Sequence, residues 1–469
     1  MNKVTKNIFY NFTGNIGSKI LSFLIVAVTT RMFGSVIFGQ FNVATAEYSY
    51  FSLFAIMGMN GYGLFLLAKE NDTQKRQQII SDVCSVKTIS GIFFAGLLLA
   101  YSLLVPNSHK FVAPFALLLI FQATDLSWAL QALQDMKLTA YGSLITIVVN
   151  AGMLTICYFS GLFSVYALIF ASVFSTLVLQ VLYVTYIRKK HGFSVSFHIP
   201  RYFYYVKKAL PYMVSGLFAG INTNIDMVIM GYILAPQEVG YYSAGFKLVS
   251  EFVALCAVVF TPLFPMFIEK IASGEIAHMN RITGFLRTTL LSVIIPCTMV
   301  GVVYGKELLG LLFGAEYEAG YVAFAILMVF ISLLYYREIY GYTLTAAGKQ
   351  SIYLRVVSVS AAVNIVGNLF LIPQYGIAAA AGTTLVSELI NLFGMRYYVR
   401  KLLGIRLDID NVAKLTLPLT ILLALLLLGR YFDIPYILVI AVACMVYVAA
   451  ILLFGVIKID YLKKLISKK

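Results

Sequence analysis

Apolar runs long enough to cross a bilayer succeed one another from end to end of this chain, separated by short loops. Each run approaches the roughly 20 residues that a spanning helix needs. The pattern predicts spans near 7–30, 41–67, 79–105, 113–134, 140–160 and 162–187. A basic, aromatic stretch, 188–208, follows. Further spans are predicted near 209–234, 241–268, 284–304, 320–346, 352–372, 376–398, 413–430 and 435–457, about fourteen in all. Asn11, Asn15, Lys19 and Ser22 recur at helical spacing, so the first run reads as a retained helix with one wet face. The expectation is an all-α polytopic membrane protein.

Polar positions inside these runs are few and ordered. In the stretch 211–265, Asn222 and Asp226 lie four apart on one span, and Lys247 and Glu251 four apart on the next, so each pair shares a helix face. A short turn is expected at Pro236 to Gly240. Gln122 with Asp125, and Thr384 with Glu388 and Asn391, repeat the one-face spacing, and Glu47 completes the acidic set. Ionisable groups at membrane depth cost a few kcal/mol or more, so they mark pathways, partners or coupling sites. Pro211, Pro262, Pro265 and Pro296 are expected to kink or break helices, and Gly39 and Gly240 to permit turns.

Composition agrees: 61% of residues are hydrophobic and 12% charged, with mean hydropathy +0.88. The net charge of +15 is not a nucleic-acid footprint, because the basic residues gather in loops. With the N-terminus placed in the cytoplasm, 27 of the 35 Lys and Arg fall in inside segments, four in outside loops and four within spans. That bias obeys the positive-inside rule and puts both termini inside. The five cysteines show no C-x-x-C spacing and the four histidines no metal-ligand spacing, so neither disulfide, metal nor catalytic chemistry is expected.

Two stretches repeat. VIFGQFNVA (36–44) corresponds to QEVGYYSAG (237–245), about 201 positions on. Asn150 with SGLFSVYAL (160–168) corresponds to Asn364 with QYGIAAAAG (374–382), about 214 on. Two matches at nearly one offset predict parallel six-helix bundles. The expected organisation is 1–187, a linker 188–208 lying along the anionic inner surface, 209–405, and helices thirteen and fourteen with a basic tail in 406–469.

The segments RMFGSVIFGQF (31–41), NTNIDMVIMGYILAPQEVGYYSAGFKL (222–248), LLGLLFGAEYEAG (308–320), TAAGKQ (345–350) and NIVGNLFLIPQYGIAAAAGTTLVSE (364–388) together resemble the multidrug/oligosaccharidyl-lipid/polysaccharide flippase superfamily. The likeness is greatest to its O-antigen and capsule repeat-unit branch, and it runs along almost the whole chain. The resemblance implies two bundles in a V around a central cavity. It also implies alternating access, moving undecaprenyl-diphosphate-linked oligosaccharide from the inner to the outer leaflet of a bacterial cytoplasmic membrane.

It further implies that cations of the first and eighth helices meet the substrate diphosphate, roles that fall to Lys19 and Lys247 at the level of the helix. Arg337, amid Tyr335, Tyr336 and Tyr340, is a third candidate, for stacking on sugar or gripping phosphate. The bland readings are a snorkelling Lys19, a Lys247–Glu251 ion pair and an inter-helix salt bridge for Arg337. Arg337 and Glu338, being adjacent, point about 100° apart and do not face one partner. Asp226, with Asn222, Glu47, Asp125, Glu251 and Glu388, forms the coupling or gating set, for a proton or Na+, with structural pairing as the alternative for Asp226. Expected partners are the lipid-linked substrate, membrane lipids and polysaccharide polymerase or other assembly proteins. A drug/cation antiporter of the same superfamily is the competing reading; an integral-membrane polymerase would need a longer loop than any here.

Overall fold

The computed structural model describes residues 3–104, 111–193, 196, 202–405 and 413–455, and every regular element among them is helical. The helices are α1 (Lys3–Ile56), α2 (Met59–Lys69), α3 (Thr73–Leu104), α4 (Phe115–Ala123), α5 (Ser127–Ala132), α6 (Met136–Phe159) and α7 (Val165–His191). They continue with α8 (Tyr202–Ile233), α9 (Pro236–Ala272), α10 (Ile276–Phe313), α11 (Tyr321–Ala346), α12 (Gln350–Leu403), α13 (Ala413–Tyr431) and α14 (Tyr436–Leu453). Ten stretches among the described residues are long and apolar enough to cross a membrane, so the chain is an all-α, multi-pass membrane protein. Of the linker 188–208, residues 188–191 continue α7 and 202–208 open α8, while 194, 195 and 197–201 fall outside the described residues, as do 406–412 before α13 and the tail from 456.

Local chemistry sets the helix ends. Ser164 caps α7 by accepting from the Ala167 amide at 3.3 Å, and Gly192, at φ +70°, closes its far end. Arg188, Lys189, Lys190 and His191 fill that last turn, where positive charge opposes the negative end of the helix dipole. In α1 the turn falls at Gly34 (φ +74°), and in α12 at Gly376 (φ +59°), conformations that side chains disfavour.

Several expectations are corrected at this level. Pro236 to Gly240 is not the turn: α8 ends at Ile233, and Pro236 is the first residue of α9, where its fixed φ suits the helix and its missing N–H is not needed. Nor do Gly39 and Gly240 make turns. Both are helical, and they are small because two backbones meet there. A methyl on Gly39 would land on the Pro236 carbonyl oxygen and 2.8 Å from the Gly240 nitrogen; one on Gly240 would land on the Ser35 carbonyl. Pro211 and Pro296 lie inside α8 and α10, and the departure from helical geometry in α10 falls at Tyr304.

Two spans expected to be continuous are broken. Met57 and Gly58, both at positive φ, separate α1 from α2, and Thr124 to Leu126 separate α4 from α5. The short helices α2 and α5 pack on each other, Gly63 against the Trp128 ring. Their breaks leave backbone groups that other side chains must satisfy.

The residues form two compact units, Met1–Ser243 and Ala244–Lys469. In the first, α1 packs on α3, α4, α6 and α8, so α8 belongs with the helices before it. In the second, α11 packs between α10 and α12. The α13–α14 pair packs on α10, where Tyr447 donates to the Ser292 carbonyl at 2.7 Å and Tyr304 to the Leu426 carbonyl at 3.0 Å. All five cysteines are free.

Candidate functional site

In the first unit a polar seam runs between α1 and its neighbours. Glu47, 4% exposed, accepts from the Tyr101 hydroxyl at 2.7 Å, and that hydroxyl also meets Tyr232 of α8. One helical step on, Tyr48 and Ser52 both donate to the Gln122 side-chain oxygen, Ser52 at 2.9 Å. On the α8 side, Asn224 donates to Ser49 at 3.2 Å and Tyr50 to the Gly220 carbonyl at 3.2 Å. Asp226 accepts from Tyr242 at 3.4 Å and lies within electrostatic reach of Tyr50. The seam therefore brings Glu47 and Asp226, 179 residues apart in sequence, onto one pair of packed helices. The side chain of Asn222 lies outside the described residues.

Asp125 has a structural occupation. Its carboxylate accepts from the Ser127 amide at 3.1 Å, from the Ser127 hydroxyl and from Gln180 at 3.3 Å, which fixes the break between α4 and α5. Its carbonyl, freed by that break, accepts from Trp128 at 3.1 Å and from Lys87 at 2.8 Å. Lys87 is wholly buried, and the spacing of charges along the chain had given it no task. The signal was available: a lysine within a span, on α3, has to find a partner elsewhere in the chain, here the carbonyl between α4 and α5.

The second unit holds an ion-pair cluster. Arg337 of α11, 8% exposed, donates through Nε to Glu388 Oε1 and through Nη1 to Glu338 Oε1, both at 2.7 Å. Glu388 of α12 is 3% exposed and also meets the Asn391 amide at 3.4 Å. Although Arg337 and Glu338 leave the helix in different directions, the length of the arginine side chain lets its planar fork reach back to the neighbouring carboxylate. Two carboxylates on one guanidinium leave one excess negative charge when both are ionised, in a place water hardly reaches. Beside it Asn368 donates to Asn364 at 3.1 Å and receives Thr383.

Lys19 is exposed on the first part of α1, in the first unit; Lys247 and Glu251 are half-buried on α9, in the second. The carbonyl of Phe252, next to Glu251, accepts from Tyr335 at 2.7 Å, which ties this part of α9 to α11. Outside the spans, the chain's loops carry ordinary surface electrostatics. Burial pushes the Asp135 carboxyl upward, but hydrogen bonds from Lys190 and His191 (the latter 2.7 Å) more than offset it and hold it below its ordinary value.

Known proteins place this geometry. The model of a family described as polysaccharide biosynthesis protein matches residues 4–270, more than half the chain. A capsular polysaccharide biosynthesis protein, CapF of Staphylococcus aureus, is 22% identical over 408 residues, covering 85% of this chain and all of that protein. A probable low-salt glycan biosynthesis flippase, Agl15 of Haloferax volcanii, is 22% identical over 224 residues, about half of each chain (48% and 47%). In fold, the chain resembles the lipid II flippase MurJ in an inward closed conformation, with TM-score 0.78 and 13% identity over 95% of this chain and 98% of that one. An inward-facing multidrug resistance transporter gives TM-score 0.60 at 11% identity, over 81% and 99%. The chain thus belongs to the polysaccharide biosynthesis protein family.

Proposed function

We propose that this protein is a flippase carrying undecaprenyl-diphosphate-linked oligosaccharide repeat units from the inner to the outer leaflet of a bacterial cytoplasmic membrane, with both termini inside. The observation that carries the reading is the family match, laid over apolar helices that keep ionisable side chains within the protein. A diphosphate–sugar headgroup needs cations and water while its polyprenyl tail stays in lipid. Lys19 and Lys247 meet the diphosphate in this account, and polymerase or other assembly proteins take the product.

Coupling to a proton or Na+ falls first to Glu388 and Asp226. Glu388 belongs to a cluster with excess negative charge, and Asp226 sits on the α1–α8 seam with Glu47. Arg337 acts here by holding Glu388 and Glu338 rather than by reaching sugar. Glu251 and Asn222 support the same cycle, and Asp125 is the member of the set whose carboxylate is already engaged by Ser127 and Gln180. The fold shared with a multidrug transporter keeps drug/cation antiport as the second reading.

Deleting the gene and profiling lipid-linked glycans by mass spectrometry tests the proposal. Accumulation of single-repeat undecaprenyl-diphosphate glycan with loss of surface polymer is the expected result. An unchanged lipid-linked pool and unchanged polymer contradict it, and a drug-sensitivity phenotype in their place favours the second reading.

A further inference from the structure

Arg287 lies eleven residues into α10, about 16 Å from its start at 1.5 Å per residue. Counted by sequence with the basic residues of helix ends, it is in fact 2% exposed, and its Nε has no hydrogen-bond partner. No ion pair among those of the described residues includes it, unlike Arg337, which two carboxylates hold. A guanidinium stays charged at any pH the cell meets, so burial does not neutralise it as it neutralises a lysine. An enclosed permanent cation without a counter-charge is unfavourable unless an anion comes to it.

The neighbours fit an anion. Tyr340 of α11, 3% exposed, donates its hydroxyl to Tyr336 at 3.0 Å, with the two rings edge to face at 5.4 Å. Tyr336 thereby has its oxygen occupied as acceptor while its own O–H remains to donate. Gly341, beside Tyr340, lies against the Met395 side chain next to Arg396 of α12. Helix α10 packs along α11, with Thr298 bonded to Ser332 at 2.7 Å, and the charges of Arg396 and Arg287 both reach the Tyr340 hydroxyl. Tyr340 is six residues from the end of α11 and Arg396 seven from the end of α12, so three helices bring these groups to the same end of the unit. That end carries Arg281, Lys349, Arg355, Arg400 and Lys401.

We propose that Arg287, Tyr336 and Arg396 form an anion site at the basic end of the second unit, built for a phosphate or diphosphate group. Arg287 supplies the fixed buried charge, Arg396 the accessible one, and Tyr336 a directed hydrogen bond. The group comes either from a lipid headgroup or from a free phosphorylated solute. The site is built from residues other than the lysines assigned above to the lipid-linked substrate and does not depend on them.

The test uses the full chain purified in neutral detergent and carrying Lys19→Ala and Lys247→Ala, so that loss of the flippase reading and loss of this one are distinguishable. It is titrated by calorimetry, at constant ionic strength, with inorganic pyrophosphate and separately with a short-chain polyprenyl diphosphate. Saturable binding of at least one is expected. Arg287→Gln should weaken it tenfold or more, and Arg396→Gln and Tyr336→Phe threefold or more. Arg396→Gln alters an exposed position, keeps the melting temperature and carries the test if Arg287→Gln fails to fold. Tyr336→Phe also strands the buried Tyr340 hydroxyl, so its affinity is read well below its own melting temperature. Binding of pyrophosphate identifies a free solute as sufficient; binding of the polyprenyl compound alone identifies a headgroup. Absence of binding to both, or equal affinity in Arg396→Gln and Tyr336→Phe, overturns the proposal.

Discussion

Gly39 and Gly240 stand 201 residues apart in sequence, and each leaves room for the backbone of the segment that carries the other. Gly39 faces the carbonyl of Pro236 and the nitrogen of Gly240; Gly240 faces the carbonyl of Ser35. Ser35 and Pro236 are themselves 201 apart, so the contact is reciprocal. Small residues let helix backbones approach closely inside a membrane, where dispersion and weak polar contacts replace the hydrophobic drive.

Gly39→Ala and Gly240→Ala should each destabilise the protein by about 1–3 kcal/mol or more, because the added methyl meets backbone rather than a movable side chain. Gly96→Ala and Gly152→Ala, where a methyl meets nothing within 4 Å, serve as controls. Thermal melts of the purified variants check this. Equal melting temperatures across the four would remove the close approach from the account.

Arg337 and Glu388 make a second test. Arg337→Met leaves the buried Glu388 and the half-buried Glu338 without their cation and should cost about 3–5 kcal/mol. Adding Glu388→Gln to it should recover part of the loss, since one of the stranded charges is gone. Recovery is read as expression of monodisperse protein and melting temperature; a double variant worse than the single contradicts a pairing role.

For Asp125 the expected outcome separates structure from transport. Asp125→Ala removes the acceptor of the Ser127 amide, the Ser127 hydroxyl and Gln180 between α4 and α5 and should lower stability by about 1 kcal/mol. Transport per folded molecule should stay within about twofold. A variant that folds normally and does not transport would return Asp125 to the coupling set.

The Asp135 loop predicts a pH dependence of known sign. Its carboxyl is held below the ordinary value in the folded protein, so its contribution is present above the unfolded value, about 3.9, and is lost as pH falls through the folded one. Asp135→Asn should lower the melting temperature at pH 7, and the gap to the unaltered protein should close as pH drops below about 4. A constant gap across that range would show that the pairing with Lys190 and His191 contributes nothing.

Much of the fold could be read from spacing. Runs of apolar residues mark helices because a lipid-facing segment must satisfy its own backbone, and the two Gly-containing segments around Gly39 and Gly240 do meet. What spacing could not reveal was which residues meet across helices. Gly39 reads alike as a turn residue and as a packing residue, since both demand the loss of a side chain. The breaks at Gly58 and Asp125 fall inside stretches whose hydropathy is continuous; at the second, Lys87 donates to the freed Asp125 carbonyl and the Asp125 carboxylate accepts from the Ser127 amide. Arg287 counted as one more basic residue near a helix end, and only burial distinguishes it from Arg281. Asp226 and Glu388, placed inside spans by spacing alone, do lie on packed helices, and their partners Tyr242 and Arg337 emerge from the tertiary arrangement.

The central claim, movement of a lipid-linked glycan between leaflets, is tested most directly in vesicles reconstituted with the purified protein. A fluorescent undecaprenyl-diphosphate oligosaccharide is placed in one leaflet, and its appearance in the other is followed by a membrane-impermeant quencher. The account predicts transfer well above protein-free vesicles, reduced tenfold or more by Lys19→Ala or Lys247→Ala reconstituted at equal density. Transfer no faster than in empty vesicles, under imposed proton and Na+ gradients of either direction, would contradict it.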